Sequence, residues 1–359
     1  QGTPMNTLSL STSNLHYAHF LWVAAGMGLV FFLLIKGYLR SAVMQYQAVQ
    51  RIHLEETPRL GGLVMLVGIL ALVLWSGDTV MSGTSLMFII GFAPLGAVTL
   101  MEDLHIPTSP IKRLIVLLIS SGLILTLTEI NLPDLNTPYL EWLTASPSLK
   151  MMFYALCVAS LMNGMNFIDG TNGNMSFTLV AIFLNLLFLA VVIGDAAFIR
   201  LTLVCAFPLL IFMLVNYPWG KIFAGDLGAY LYAAIVGFLT VHFFGLHTEL
   251  SAWNAVLVLF YPVAELVYSV ARKVANKKSP FQPDQGHLHI KLYHIFLQGT
   301  GRPLLANNLV TVMLAIFWLS PAIILPWVYT SHLLLGISVA FLSVCYLAFN
   351  LVIPIVSKK

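Results

Sequence analysis

The feature that most constrains this chain is the recurrence of apolar runs about 14 to 24 residues long, separated by polar connections. The first, Tyr17 to Ile35, is already long enough to cross a hydrocarbon core of about 30 Å. Further runs fall at about 61–75, 85–100, 114–127, 150–167, 175–193, 199–215, 227–244, 253–271, 307–327 and 332–355. Lipid supplies no hydrogen bonds to a backbone, so such runs must close their own amides as helices. The sequence therefore predicts an all-α membrane protein, a polytopic bundle of about 11 transmembrane helices. Composition agrees: 59% of residues are hydrophobic and 9% charged, where a soluble globular chain carries roughly a quarter charged residues. Cys157, Cys205 and Cys345 all lie inside apolar runs, as buried small hydrophobes do, and neither a disulfide framework nor redox chemistry is expected. No nucleic-acid partner is expected either. Gln1 to Pro4 read as a tag remnant before a start at Met5, and with no fixed-period repeat residues 5–359 read as one integral-membrane domain.

Charge placement predicts orientation. With the N-terminus periplasmic and the C-terminus cytoplasmic, every Lys and Arg of the 17 except Lys150 and Arg200 falls on the cytoplasmic side. Basic flanks resist translocation, and moving the count by one helix would destroy the asymmetry. The chemistry sits on the same side, in connections at about 36–60, 101–113, 163–175, 216–226 and 272–306. This predicts a multi-pass protein whose working face is toward the cytoplasm.

These connections hold unusual densities of polar groups. One carries Glu102-Asp103 followed by Lys112-Arg113. Another runs from Asn163 through Asn166, Asp169 and Asn172 to Asn174, with glycines that could let backbone approach a ligand. A third holds Lys221 and Gly225-Asp226-Leu227-Gly228, where the start of a helix offers amides to an anion. The longest holds His287 and His289 after Pro283 and Gly286, which predict a shaped loop rather than a continuous helix. Carboxylates and amide oxygens without thiolate pairs select a hard cation such as Mg²⁺ bound with phosphates. Phosphoryl transfer suits this inventory because it asks chiefly for positioning and charge neutralisation. Each group also has a structural reading: Asp169 and Asp226 as helix caps, the histidines as surface residues, His53 and Arg59 as snorkelling side chains. Glu265, inside the ninth span, reads as a structural pairing within the bundle.

Together the segments resemble the polyprenyl-phosphate N-acetylhexosamine-1-phosphate transferase family (glycosyltransferase 4 type). His53 with Pro58-Arg59-Leu60-Gly61-Gly62 is similar to its first cytoplasmic motif, Glu102-Asp103 to its acidic pair, Asn163 to Gly173 to its Asn-rich segment, Gly225 to Gly228 to its GDxG motif, and His287-Leu288-His289 to its histidine motif. The sequence departs from the pattern at Leu54, Glu102, Asn172, Ala229 and Ile290, and its histidine segment resembles most the branch that initiates O-antigen. The resemblance implies Mg²⁺-dependent transfer of N-acetylhexosamine 1-phosphate from a UDP-sugar to undecaprenyl phosphate, with Mn²⁺ as a substitute metal and a homodimeric assembly. It implies Asp226 and Asn166 at the metal, and Asp103, Asp169, His287 and His289 as catalytic residues. Arg59, Glu102, Lys112, Asn163, Asn172 and Lys221 would bind substrate, Asn172 at the uracil. A transporter or lipid flippase would place polar groups nearer the midplane, and an aspartate-rich prenyltransferase would need repeated DxxxD-like spacing.

Overall fold

The computed structural model describes residues 17–38, 57–76, 79–106, 108–135, 141–279 and 285–354. His53 and the Gln282 to Asp284 segment lie outside them, as do the residues at either terminus. Fourteen α-helices follow in order: α1 (Tyr17–Tyr38), α2 (Gly61–Trp75), α3 (Thr79–Asp103), α4 (Pro110–Leu127), α5 (Pro147–Ile168), α6 (Asn174–Ile193), α7 (Ala196–Asn216), α8 (Gly225–Leu246), α9 (Trp253–Val258), α10 (Phe260–Ala275), α11 (Leu288–Thr300), α12 (Pro303–Trp318), α13 (Ser320–Val328) and α14 (His332–Val352). Among the described residues nine helical stretches, counting α12 and α13 together, have the length and apolar character to cross a membrane. The other two expected spans are the shorter α2 and the segment divided into α9 and α10 at Leu259.

Local signals set the helix starts. Ser109 precedes Pro110 and accepts from the Lys112 amide at 3.3 Å, and Ser146 precedes Pro147 and accepts from Leu149 at 3.3 Å. A hydroxyl at the cap with proline at the first helical position satisfies an exposed amide where proline's missing N–H costs nothing.

Packing divides the helices by environment. α8 is buried nearly all round, against α5, α3 and α2, so it forms the axis of the bundle. Peripheral helices instead present large apolar side chains outward, among them Leu21 (72% exposed), Trp327 (82%) and Leu351 (72%). Only a hydrocarbon surrounding makes such a surface stable, because in water it would seek a partner. α8 has 22 residues, about 33 Å at 1.5 Å per residue, so its two ends lie at opposite sides of the bundle.

At its first turn α8 crosses α2 with almost no space between backbones. A Cβ on Gly62 would fall 2.2 Å from the Gly228 nitrogen, so only glycine fits there. The crossing is sewn by Gly61 and Gly62 amides donating to the Phe223 and Ala224 carbonyls, at 3.0 and 2.8 Å, and by the Phe223 amide donating to Pro58 at 2.9 Å. These bonds bring Arg59 to the start of α8.

Candidate functional site

The structure gathers one polar cluster at this end of the bundle from four separate segments. Arg59, just before α2, places its guanidinium Nη2 3.0 Å from Asp226 Oδ1 and its Nε 3.7 Å from Asp103 Oδ1. Asn166, near the end of α5, donates its side-chain amide to the same Asp226 oxygen at 3.2 Å. Asp169 is the residue that ends α5, so it lies one helical turn beyond Asn166. Three carboxylates thus surround one guanidinium. Burial opposes the charge on Arg59, but Asp226, Asp103 and Asp169 outweigh it and hold the guanidinium above its ordinary pKa. Burial likewise pushes the Asp169 carboxyl up to about 7; Arg59 pulls it down and Asp226 pushes it further up.

Asp103 accepts the Asp226 and Leu227 amides with its two carboxylate oxygens, at 2.8 and 2.9 Å. Ala224, the residue preceding α8, has no side chain to cap the helix, and Asp103 does so from α3. The expectation that the start of α8 offers open amides to an anion is therefore corrected: those two amides are already taken, and a carboxylate at a helix N-terminus is favoured by the dipole as well. Asp103 fixes the turn carrying Asp226. Gly225 completes it with a φ of +73°, where a Cβ would also fall 2.1 Å from the Arg59 carbonyl.

Glu102 faces a different neighbourhood. It accepts from the Thr108 hydroxyl and from Arg113 Nη1 at 3.5 Å. Arg113, not Lys112, is the base that folds back to the acidic pair; Lys112 is exposed and makes no ion pair among the described residues. Helical geometry explains the exchange, since neighbours in a helix point about 100° apart and one of two adjacent bases must face outward. Lys221 is also exposed and unpaired among the described residues. Asn163 is half-buried, one turn before Asn166 on α5.

Asn172 is 1% exposed and knits the α5–α6 turn to α12. Its backbone amide donates to Asn307 Oδ1 at 2.6 Å, its side chain to Asn308 Oδ1 at 3.2 Å, and its carbonyl accepts from Thr311 at 2.6 Å. In this arrangement Asn172 is a packing joint, not a face open to a nucleobase. The glycines of this segment also serve packing: a Cβ on Gly164 would meet the Pro262 carbonyl at 2.4 Å, and one on Gly170 would meet His289 Nε2 at 2.2 Å.

The histidines differ from expectation in their local structure. His287 is the N-cap position of α11, and His289 lies in the first turn of that helix. Gly286 stands just before it, and the sequence that follows, rich in Leu, Ile and Tyr, buries Leu288, Ile290, Leu292 and Tyr293. Both histidine rings are 3% exposed, with centroids 5.8 Å apart, and His287 also packs 5.0 Å from Phe167. Through Phe167 and Gly170 the pair abuts the end of α5 that carries Asn166 and Asp169. Burial, reinforced by His287, pushes His289 down to about 3, so its ring is neutral near pH 7.

The donor set suits a hard divalent cation. Asp226 offers carboxylate oxygen, and Asn166, whose Nδ2 donates to it, carries an amide oxygen on the same group; among the described residues no cluster of three His, Cys, Asp or Glu side chains forms a protein-only cage. Mg²⁺ characteristically takes one or two carboxylates and completes its shell with water and substrate phosphates. The sequence alone left Glu265 and Arg113 out of the site: Arg113 pairs with the half-buried Glu102, whereas the buried partners of Glu265 lie 22 and 81 residues away, a distance that hides them.

A polytopic helical bundle with an acidic, arginine-bridged cluster at one end is the class of protein defined here. Residues 85–244 match the family described as glycosyl transferase family 4. The chain is 25% identical over 252 residues to the probable undecaprenyl-phosphate N-acetylglucosaminyl 1-phosphate transferase of Bacillus subtilis, covering 68% of this chain and 67% of that protein. It is 30% identical over 151 residues to the undecaprenyl-phosphate alpha-N-acetylglucosaminyl 1-phosphate transferase of Thermotoga maritima, covering 42% of this chain and 44% of that one. With the decaprenyl-phosphate N-acetylglucosaminephosphotransferase of Mycobacterium leprae it shares 26% identity over 289 residues, covering 71% of each. The chain is thus similar over residues 85–244 to glycosyl transferase family 4, and over about two thirds of its length to polyprenyl-phosphate N-acetylglucosamine-1-phosphate transferases.

Proposed function

We propose that this protein transfers N-acetylhexosamine 1-phosphate from a UDP-sugar to a polyprenyl phosphate, undecaprenyl phosphate in a bacterial inner membrane, releasing UMP. The observation that carries this reading is the convergence of Arg59, Asn166, Asp169 and Asp226, held by Asp103, at one end of the bundle. An oxygen of the lipid phosphate attacks the sugar-side phosphorus. The bond from that phosphorus to the bridging oxygen breaks, and UMP leaves with the bridging oxygen. A phosphomonoester has its second pKa near about 6, so the nucleophile is largely deprotonated at neutral pH and needs positioning more than a strong base. That agrees with Asp103 serving as a scaffold. Arg59 supplies positive charge toward the diphosphate, and the neutral His289 can hydrogen-bond a phosphate or sugar oxygen.

Asp226 and Asn166 would hold Mg²⁺, which when bound neutralises developing charge on the phosphate oxygens. For orientation, the Asp226 end carries Arg59, Lys112, Arg113, Lys221, Arg272 and Lys273, whereas Lys150 and Arg200 mark the other end, which supports an active face toward the cytoplasm. The histidine segment favours a role in initiating O-antigen or a related polysaccharide.

The test is UMP release by the purified protein in detergent, with polyprenyl phosphate, Mg²⁺ and a panel of UDP-N-acetylhexosamines beginning with UDP-GlcNAc. Release that requires both lipid and metal is expected. Absence of release with every donor, or release unaffected by chelation with EDTA, overturns the reading. Exchange of labelled UMP into the UDP-sugar without lipid would instead indicate a two-step route through the enzyme.

A further inference from the structure

Glu265 lies in α10 with no exposed surface. A carboxylate there is tolerated only when its charge is met by donors. Two are present: His287 Nδ1 lies 2.8 Å from Oε1, and the Tyr346 hydroxyl of α14 donates to Oε2. An ionised carboxylate can only accept, so Nδ1 must carry a proton. The tautomer of His287 is thereby set, and Nε2 becomes its variable nitrogen, an acceptor in the neutral ring and a donor in the imidazolium.

The groups around His287 extend this constraint to the site. On one side its ring meets Phe167, the residue after Asn166, and the Lys273 ammonium lies 5.6 Å over that same Phe167 ring. On another it stacks on His289, whose Nε2 rests on Gly170 beside Asp169. Below it, α14 braces the same helix a second time, because Lys291 donates to the Asn350 carbonyl at 2.9 Å and to its side-chain oxygen at 3.3 Å. α10 and α14 thus clamp the start of α11 against the end of α5.

We propose that Glu265 is a positioning residue for the transferase reaction: bridging Tyr346 and His287, it fixes the ring orientation and proton placement of His287 at the edge of the phosphate site. This rests on the transferase reading given above. Carboxylate-oriented imidazoles recur where a histidine's working nitrogen must be specified.

The experiment uses the full chain in detergent and compares Glu265→Gln, His287→Ala and the double variant for UMP release and melting temperature. Glu265→Gln is expected to lower kcat about 10- to 100-fold with KM for the UDP-sugar little changed. Added to His287→Ala, it should cost nothing further. Multiplying losses in the double variant, or Glu265→Gln activity equal to wild type while His287→Ala is inactive, would overturn the proposal. Should Glu265→Gln fail to assemble, Tyr346→Phe removes only the hydroxyl on the other carboxylate oxygen, and the same criterion applies: non-additive losses support, multiplying losses overturn. Solid-state NMR of ¹⁵N-histidine-labelled protein, with the His287 signal assigned by its loss in His287→Ala, reads the pairing without catalysis. A protonated Nδ1 that changes its shift in Glu265→Gln or Tyr346→Phe is expected, and an unprotonated Nδ1 in the wild type refutes the pairing. If the wild type transfers no sugar phosphate at all, the functional reading fails while the NMR result still decides the pairing.

Discussion

The two ends of the α8 axis handle carboxylates in opposite ways. At the end near residue 246, Asp195 caps its own helix through the Phe198 amide at 2.9 Å and meets His247 at 3.1 Å, and Asp134 pairs with Lys150. Those acids each have a nearby donor or base of their own. At the Asp226 end, three acids share Arg59, and the partners of Asp226 come from 60 and 167 residues away in sequence. An acid with its own capping amide or its own base stabilises the element it belongs to. Acids assembled from distant segments around a single guanidinium leave an excess of negative charge, the setting in which the proposed cation would act, and that arrangement needs several segments of the fold at once.

The largest effect expected from breaking this contrast is at Asp226. Asp226→Asn should lower UMP release about 100- to 1,000-fold while leaving the protein monodisperse and folded, measured by initial rates and size-exclusion chromatography. Near-normal rates would place the metal and diphosphate elsewhere. Next comes Arg59→Ala, which leaves three carboxylates without their shared counter-charge. Because the Arg59 side chain is 36% exposed, solvent screening reduces the cost below that of a fully buried pair, to about 1–3 kcal/mol. Thermal unfolding in detergent should show the loss, together with weaker UDP-sugar binding.

Asn172→Ala sharpens the distinction between support and site. It should cost about 1–3 kcal/mol by leaving Asn308 Oδ1 and the Pro218 carbonyl underpaired, with KM for the nucleotide sugar changed by less than about threefold. A large rise in KM would return Asn172 to the uracil. The smallest effect belongs to the opposite end: Asp195→Asn keeps a capping side chain but removes its charge, and should cost about 0.3–1 kcal/mol without altering the rate. There burial works against the charge, but the Phe198 amide and His247 outweigh it and hold Asp195 below the usual carboxylate range. Its stabilisation is therefore present above the unfolded value of about 3.9 and is lost as pH falls through the lower folded value. The melting-temperature gap between wild type and Asp195→Asn should be widest near neutrality and close below about pH 4.

Much of the site was legible because its motifs are contiguous. Glu102-Asp103, Asn163 to Asn174 and Gly225 to Gly228 each announce themselves by polar density between apolar runs. Their roles were less legible. Asp103 reads in sequence as a substrate-facing acid, yet its oxygens are taken by the amides of another helix. Arg113 and Lys112 are indistinguishable in sequence, and helix phase alone separates them. Glu265 was visible as an intramembrane acid, but its partners, His287 and Tyr346, are joined to it only by the packing of α10, α11 and α14.

What the sequence determined by itself is the membrane class and the broad placing of most helices, because an apolar run in lipid has one way to satisfy its backbone. Helix caps formed within a few residues, as at Ser109, Ser146 and Asp195, belong to the same category. Tertiary structure alone decided which acids meet Arg59, which amides Asp103 occupies and which carboxylate faces Nδ1 of His287. Those outcomes depend on contacts between segments tens to more than a hundred residues apart, and local periodicity holds no record of such distances.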